Sequence, residues 1–227
     1  MIGAESDRPV FYSFRRCPYA MRARMAVAAS GQPVELREIL LRDKPEAMVE
    51  ASPKATVPVL VQTDGGVLEQ SLDIMLWALN RSDPQQWLTP DHGDLPTMLA
   101  LIADVDGEFK TRLDNYKYAS RKTPDGQDVD AFASTNRDLA LQCLDPLAVR
   151  LESSAYLFGD RIALADVAIA PFVRQFANTD ATWFRRQARP ALRNWLQQFI
   201  ASPLFTGVMD KHAVWQPGTE GIRFPNQ

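Results

Sequence analysis

Apolar and polar residues alternate along the first part of the chain in short runs whose period keeps changing. Val10 to Phe14 is a β-rich run after Pro9. From Pro18 to Ala29 the composition switches to Ala, Met and Arg without an internal breaker, which predicts a helix with Pro18 in its first turn and Gly31 at its end. Val34 to Ile39 alternates apolar with polar and predicts a second strand. Pro45 to Ala51 predicts a short helix, Val57 to Val61 a strand, Asp64-Gly65-Gly66 a hairpin turn and Val67-Leu68 the strand that closes it. Ser71 to Leu79 sets Leu72, Met75, Leu76 and Leu79 on one helical face. The order β-α-β-α-β-β-α calls for a parallel first pair with a right-handed crossover, extended by an antiparallel hairpin.

Asn80 to Asp94 carries Pro84, Pro90, Gly93 and several polar residues and reads as a linker, residues 81–94. Beyond it no convincing strand pattern remains. Leu95 to Tyr118, Val129 to Leu151, Leu164 to Phe176, Pro190 to Ala201 and Pro203 to Met209 have helical patterns, broken at Pro124-Asp125-Gly126 and Phe158-Gly159-Asp160. The expected fold class is an α/β domain over residues 1–80 followed by an all-helical domain over 95–227, with no internal repeat.

Composition narrows the function. Hydrophobic residues make up 46% and charged residues 23% of the 227, which is ordinary for globular chains. The formal net charge is −3 and basic residues occur in both halves, so the one-sided basic stripe of a nucleic-acid binder is missing. The apolar runs fall well short of the roughly 20 residues that span a bilayer. Met1 to Pro9 carries Glu5, Asp7 and Arg8 instead of the apolar stretch of a signal peptide. Only two cysteines occur, Cys17 and Cys143, which argues against a disulfide framework and for a reducing compartment, the cytoplasm.

Of the two, Cys17 is placed for chemistry. Arg16-Cys17-Pro18-Tyr19-Ala20 straddles a strand-to-helix junction, where the first helical N–H groups lack internal partners and the macrodipole is positive. A sulfur there is favoured as thiolate, so its pKa is expected below the free value of about 8.5, with Arg15 and Arg16 adding positive charge nearby. Cys143 stands among Leu, Ala and Val and reads as core. Ala20 occupies the place of a second Cys in a Cys-x-x-Cys pair, so a dithiol cycle within this site is excluded and redox chemistry needs an external thiol.

Phe14-Arg15-Arg16-Cys17-Pro18-Tyr19-Ala20, Lys44-Pro45-Glu46, Thr56-Val57-Pro58-Val59-Leu60 and Gln70-Ser71-Leu72-Asp73-Ile74 together resemble the soluble glutathione S-transferase superfamily, and the cysteine at the helix start is similar to its omega-like branch. Ala165-Asp166-Val167-Ala168, after Gly159-Asp160, resembles the family pattern in the helical half. The resemblance implies a thioredoxin-like first domain, an all-α second domain, a homodimer and a glutathione site with no metal. It implies that Val57, before a cis Pro58, pairs its backbone with the cysteinyl part of glutathione like an added strand. Gln70 and Ser71 would hold the γ-glutamyl carboxylate at a helix start, and Lys44 the glycyl carboxylate. Glu69 is a second candidate for the ligand's amine. The helical half would supply the acceptor site, with Tyr116 and Tyr118 as first candidates and Phe109, Trp183 and Phe184 as further aromatics.

Two positions depart from the family pattern. Ala163 stands where a Ser or Thr usually opens the capping box with Asp166, and Gln70 replaces a common acidic residue before the serine. The leading expectation is a glutathione-dependent thiol transferase or reductase with Cys17 as nucleophile. Conjugation by a glutathione thiolate activated by Ser13 or Tyr12 is the second, and a glutathione-fold binding or stress-interaction protein the third.

Overall fold

The computed structural model describes residues 7–225, which fall into two compact units. The first runs to Gln85 and takes in the chain again from Ala201; the second is Gln86–Ile200.

The first unit is a five-stranded sheet with helices. Strands β1 (Val10–Ser13) and β2 (Val34–Glu38) are joined through helix α1 (Pro18–Ser30) and pair in parallel, Val10 opposite Glu35 and Ser13 opposite Glu38. After α2 (Glu46–Ala51), strands β3 (Val59–Val61) and β4 (Val67–Leu68) form the expected hairpin, and β3 lies antiparallel to β1. Helix α3 (Ser71–Arg81) packs on α1. The start of α1 follows from Pro18, whose missing N–H and fixed φ suit the first turn. Gly31 ends it at φ 69°, in the left-handed region that suits glycine. Helix α1 is buried on nearly every face, two arginines included, Arg22 and Arg24.

The second unit is helical. Helix α4 (Leu95–Asp104) is capped by Asp94, which accepts from the Thr97 N–H at 2.9 Å. It passes through a π turn at Val105–Phe109 into α5 (Lys110–Lys117) and α6 (Ala119–Lys122). A proline splits the predicted 129–151 helix: α7 (Val129–Cys143) stops at Leu144, and α8 (Asp145–Leu151) restarts with Pro146 in its first turn. Helices α9 (Leu164–Ala177), α10 (Ala181–Gln187) and α11 (Pro190–Ala201) complete the unit. Short α10 lacks a predicted counterpart; Asp180 caps it by accepting from the Trp183 N–H. Asp166, in the first turn of α9, accepts from the N–H groups of Leu157 and Ala163 and from Trp195 Nε1, at 3.0, 3.1 and 2.8 Å. Ala163 contributes only backbone to this cap, as its missing hydroxyl requires. No helix among the described residues is long and apolar enough to cross a membrane.

The chain's return corrects the expected boundary at 95–227. After α12 (Pro203–Gly207), Ile222–Phe224 forms β5, antiparallel to β2 at the sheet edge, giving the order β4-β3-β1-β2-β5. The intervening strap is held by side chains as well as backbone. The Trp215 N–H donates to the Glu38 carbonyl at 2.8 Å, its ring meets Tyr12 edge-on, and the Arg37 guanidinium lies 4.3 Å from its centroid. Residues 201–225 therefore belong with the sheet, whose β2 edge would otherwise present unpaired backbone groups.

Candidate active site

A cavity of about 490 Å³ opens in the first unit, lined by Cys17, Tyr19, Leu41, Lys44, Lys54, Ala55, Thr56, Val57, Pro58, Glu69, Gln70 and Ser71. The structure thus gathers around one space the residues picked out in four separate segments: Cys17, Lys44, the Val57-Pro58 pair and the Gln70-Ser71 pair.

Each lining group is placed by its element. Cys17 occupies the N-cap position of α1 with extended backbone, φ −77° and ψ 123°, and its N–H donates to the Phe14 carbonyl at 3.0 Å. The half-buried thiol lies 3.7 Å from the Val57 carbonyl, to which Sγ donates. Val57-Pro58 is a cis peptide bond that brings the chain into β3. Just before it, Ala55 stands in the left-handed region at φ 52°, a conformation that costs a residue with a Cβ about 1 kcal/mol. Gln70 is the N-cap of α3 but gives no side-chain cap, so the first N–H groups of that helix are left to other partners. Ser71, buried at the helix start, accepts from Arg22 Nε at 2.9 Å. Glu69 accepts a short hydrogen bond from the hydroxyl of Ser52.

The two arginines before the cysteine have other engagements. The Arg15 guanidinium donates to the Met209 carbonyl of the strap at 3.2 Å, and its backbone N–H to Glu38 Oε1 at 2.6 Å. The Arg16 guanidinium lies over the Phe14 ring, 5.4 Å from the centroid. Beneath this turn Glu38 meets Arg24 at 3.3 Å; burial pushes the Glu38 carboxyl up and the Arg24 guanidinium down, and the contact opposes both shifts.

The candidates for the second expectation are placed elsewhere. Ser13 is fully buried, and its register partner is Glu38. The Tyr12 hydroxyl accepts from Arg37 at 2.9 Å while its ring packs among Ile39, Met48, Val57 and Val59. Neither lines the cavity. In the helical unit, Tyr116, Phe109, Trp183 and Phe184 all meet Phe176 with centroids 5.7–6.1 Å apart at steep angles, an aromatic core cluster. Burial pushes the Tyr116 hydroxyl up, and Tyr118 is exposed beneath Lys117. The thiol of Cys143 is likewise pushed up by burial.

Leu41 and Lys54 line the cavity without having been singled out in the sequence, and Arg22 meets it through Ser71 rather than lining it. Lys54 stands three residues before Val57 and lines the cavity, as Lys44 does. Arg22 could have been found as one of two charges, with Arg24, inside a helix made mostly of Ala, Met and Val.

Comparison with known proteins adds to this geometry. The family profile described as glutathione S-transferase, N-terminal domain, matches residues 11–86, and that of the C-terminal domain matches residues 129–198. Glutathione S-transferase omega-1 of Rattus norvegicus is 39% identical over 80 residues, 35% of this chain and 33% of that protein. Glutathione S-transferase L2, chloroplastic, of Arabidopsis thaliana is 28% identical over 200 residues, 84% of this chain and 62% of that one. The chain therefore spans about a third of the first relative's length and under two thirds of the second's. Among solved structures, the glutathione transferase URE2P6 from Phanerochaete chrysosporium, in complex with oxidized glutathione, superposes with a TM-score of 0.75 at 15% identity, covering 88% of this chain and 94% of its own. That is a likeness of fold.

Proposed function

Since the chain belongs to the glutathione S-transferase superfamily, we propose that it is a glutathione-dependent thiol transferase in which Cys17 is the nucleophile. The observation that carries the reading is the thiol at the N-cap of α1, inside the cavity and 3.7 Å from the Val57 carbonyl. A hydroxyl in the role of activator has less support, because Ser13 is buried away from the cavity.

In the proposed cycle the Cys17 thiolate attacks the glutathionyl sulfur of a mixed disulfide. The S–S bond to the acceptor breaks, and the acceptor leaves as thiolate and takes a proton from solvent. Cys17 is left joined to glutathione. A second glutathione, as thiolate, attacks the glutathionyl sulfur, releases Cys17 and leaves as oxidised glutathione. The mixed disulfide and one free glutathione thus become the acceptor thiol and oxidised glutathione, one disulfide exchanged for another, so electrons balance without a metal or a second protein cysteine. Val57 would present its backbone to the ligand's cysteinyl unit, Lys44 would meet the glycyl carboxylate, and Gln70 and Ser71 the γ-glutamyl end. Tyr116 and Tyr118 remain the proposed acceptor contacts in the helical unit, with Tyr118 the more exposed.

Lys44→Ala and Ser71→Ala should each weaken glutathione binding by about 1–3 kcal/mol, the range for losing a hydrogen bond to a charged group. Calorimetry on each variant measures this, and unchanged affinity in both would remove the assignment. The proposal includes a homodimer, the assembly the family resemblance implies. Sedimentation of the chain at micromolar concentration should give twice the 25.5 kDa of one chain, and a single-chain mass contradicts it.

A further inference from the structure

Arg22 is charged, long and almost completely buried inside α1, five residues beyond Cys17. Its Nε lies 2.9 Å from Ser71 Oγ, and its guanidinium carbon is 5.2 Å from the Tyr19 ring centroid. Both Tyr19 and Ser71 line the cavity. A guanidinium has donors only, whereas a hydroxyl has one hydrogen and two lone pairs. Arg22 therefore occupies a lone pair of Ser71, and the serine hydrogen must be directed to an acceptor elsewhere. The side chain of Gln70 does not cap α3, so the first N–H groups of that helix, beside Ser71, are left to other partners.

We propose that Arg22 is a positioning residue that fixes the Ser71 hydroxyl as a donor into the cavity and thereby sets the site's preference for a ligand carrying a carboxylate at that end. The proposal rests on the reading of this cavity as the glutathione site. It makes a geometric demand that general stabilisation of the fold does not make. The N–H must be at the fourth atom of the side chain, counting Cβ as the first, where arginine has Nε. Glutamine can place its amide N–H at the same atom. Lysine keeps the charge and the reach but puts a methylene there, and methionine puts a methyl.

The test compares two ligands on four proteins by calorimetry. The ligands are glutathione and the analogue with a 4-aminobutanoyl group in place of γ-glutamyl, which lacks only the α-carboxylate. The wild type should prefer glutathione by about tenfold or more, the equivalent of one hydrogen bond to a charged group. Arg22→Met and Arg22→Lys should lose most of that preference by weakening glutathione alone, while Arg22→Gln should keep it within about threefold. If the methionine variant does not fold, the lysine and glutamine pair decides the question. A preference unchanged in Arg22→Lys, equal weakening of both ligands, or glutamine behaving like lysine overturns the proposal. A wild type that binds neither ligand overturns the glutathione reading itself; a wild type that binds glutathione, with variants that discriminate as it does, overturns only the role of Arg22.

Discussion

Cys17→Ser should lower glutathione-dependent reduction of a small disulfide by about a thousandfold or more, the scale on which enzymes lose rate when a nucleophile is removed. A serine hydroxyl is not ionised near neutral pH and cannot form the mixed disulfide. The fold should be little affected, because the position is half-buried and a hydroxyl can donate to the Val57 carbonyl as the thiol does. Thermal unfolding of the variant and a disulfide-reduction assay on both proteins check the two halves together. Conjugation of aromatic electrophiles should be weak in the wild type and kept or increased in the variant. The substitution shrinks the group competing for the ligand's sulfur and leaves the start of α1 intact. If the wild type instead conjugates efficiently and Cys17→Ser changes neither reaction, Cys17 is not the centre of the chemistry.

Asp166→Ala should destabilise the protein by about 3 kcal/mol or more, since it strips the acceptor from three buried N–H donors at once. Urea denaturation of wild type and variant measures this, and a loss below about 1 kcal/mol would contradict it. The same carboxylate gives the pH dependence a sign. Burial pushes it up to about 6 from an ordinary 3.8, against the pull of its N–H donors. In the unfolded chain the proton leaves near 3.8 and in the folded chain near 6, so the folded state holds the extra proton between them. The stabilisation that this raised pKa provides is fully present below pH 3.8, falls by up to about 1.4 kcal/mol per pH unit across the window, and is gone above 6. Asp166→Asn, which cannot titrate, should lack that component of the slope.

Short-range signals made the front of the fold legible. Pro18 and Gly31 bracket α1, the Gly65-Gly66 turn joins β3 to β4, and strict alternation marks β2. The site was legible for a related reason. Cys17, Lys44, Val57 and Ser71 sit at or near element ends, where residue type is tied to backbone geometry more than to burial. What escaped depends on partners distant in the chain. Strand β5 has three residues, Ile222-Arg223-Phe224, between Gly221 and Pro225, and only the open edge of β2 makes it a strand. Arg22 carries no local mark of its bond to Ser71, 49 positions on. Tyr116 adds a second case: an aromatic at a helix end invited a substrate role, and nothing local to it announces that its ring also packs against Phe176.

Strand β5 also bears on how the protein is made. A ribosome delivers the chain from its N-terminus, and domains tend to begin folding in that order. Here β1 to β4 and α1 to α3 emerge early, but the strand that covers β2 follows the whole of the helical unit in the sequence. While the helices are being synthesised, β2 remains an uncovered edge of Val34, Leu36 and their neighbours, able to pair with another nascent chain. The sheet that carries Cys17 is thus begun first and closed last. A chain shortened before Ile222 would keep every residue of the cavity and lose the strand that guards its sheet from aggregation.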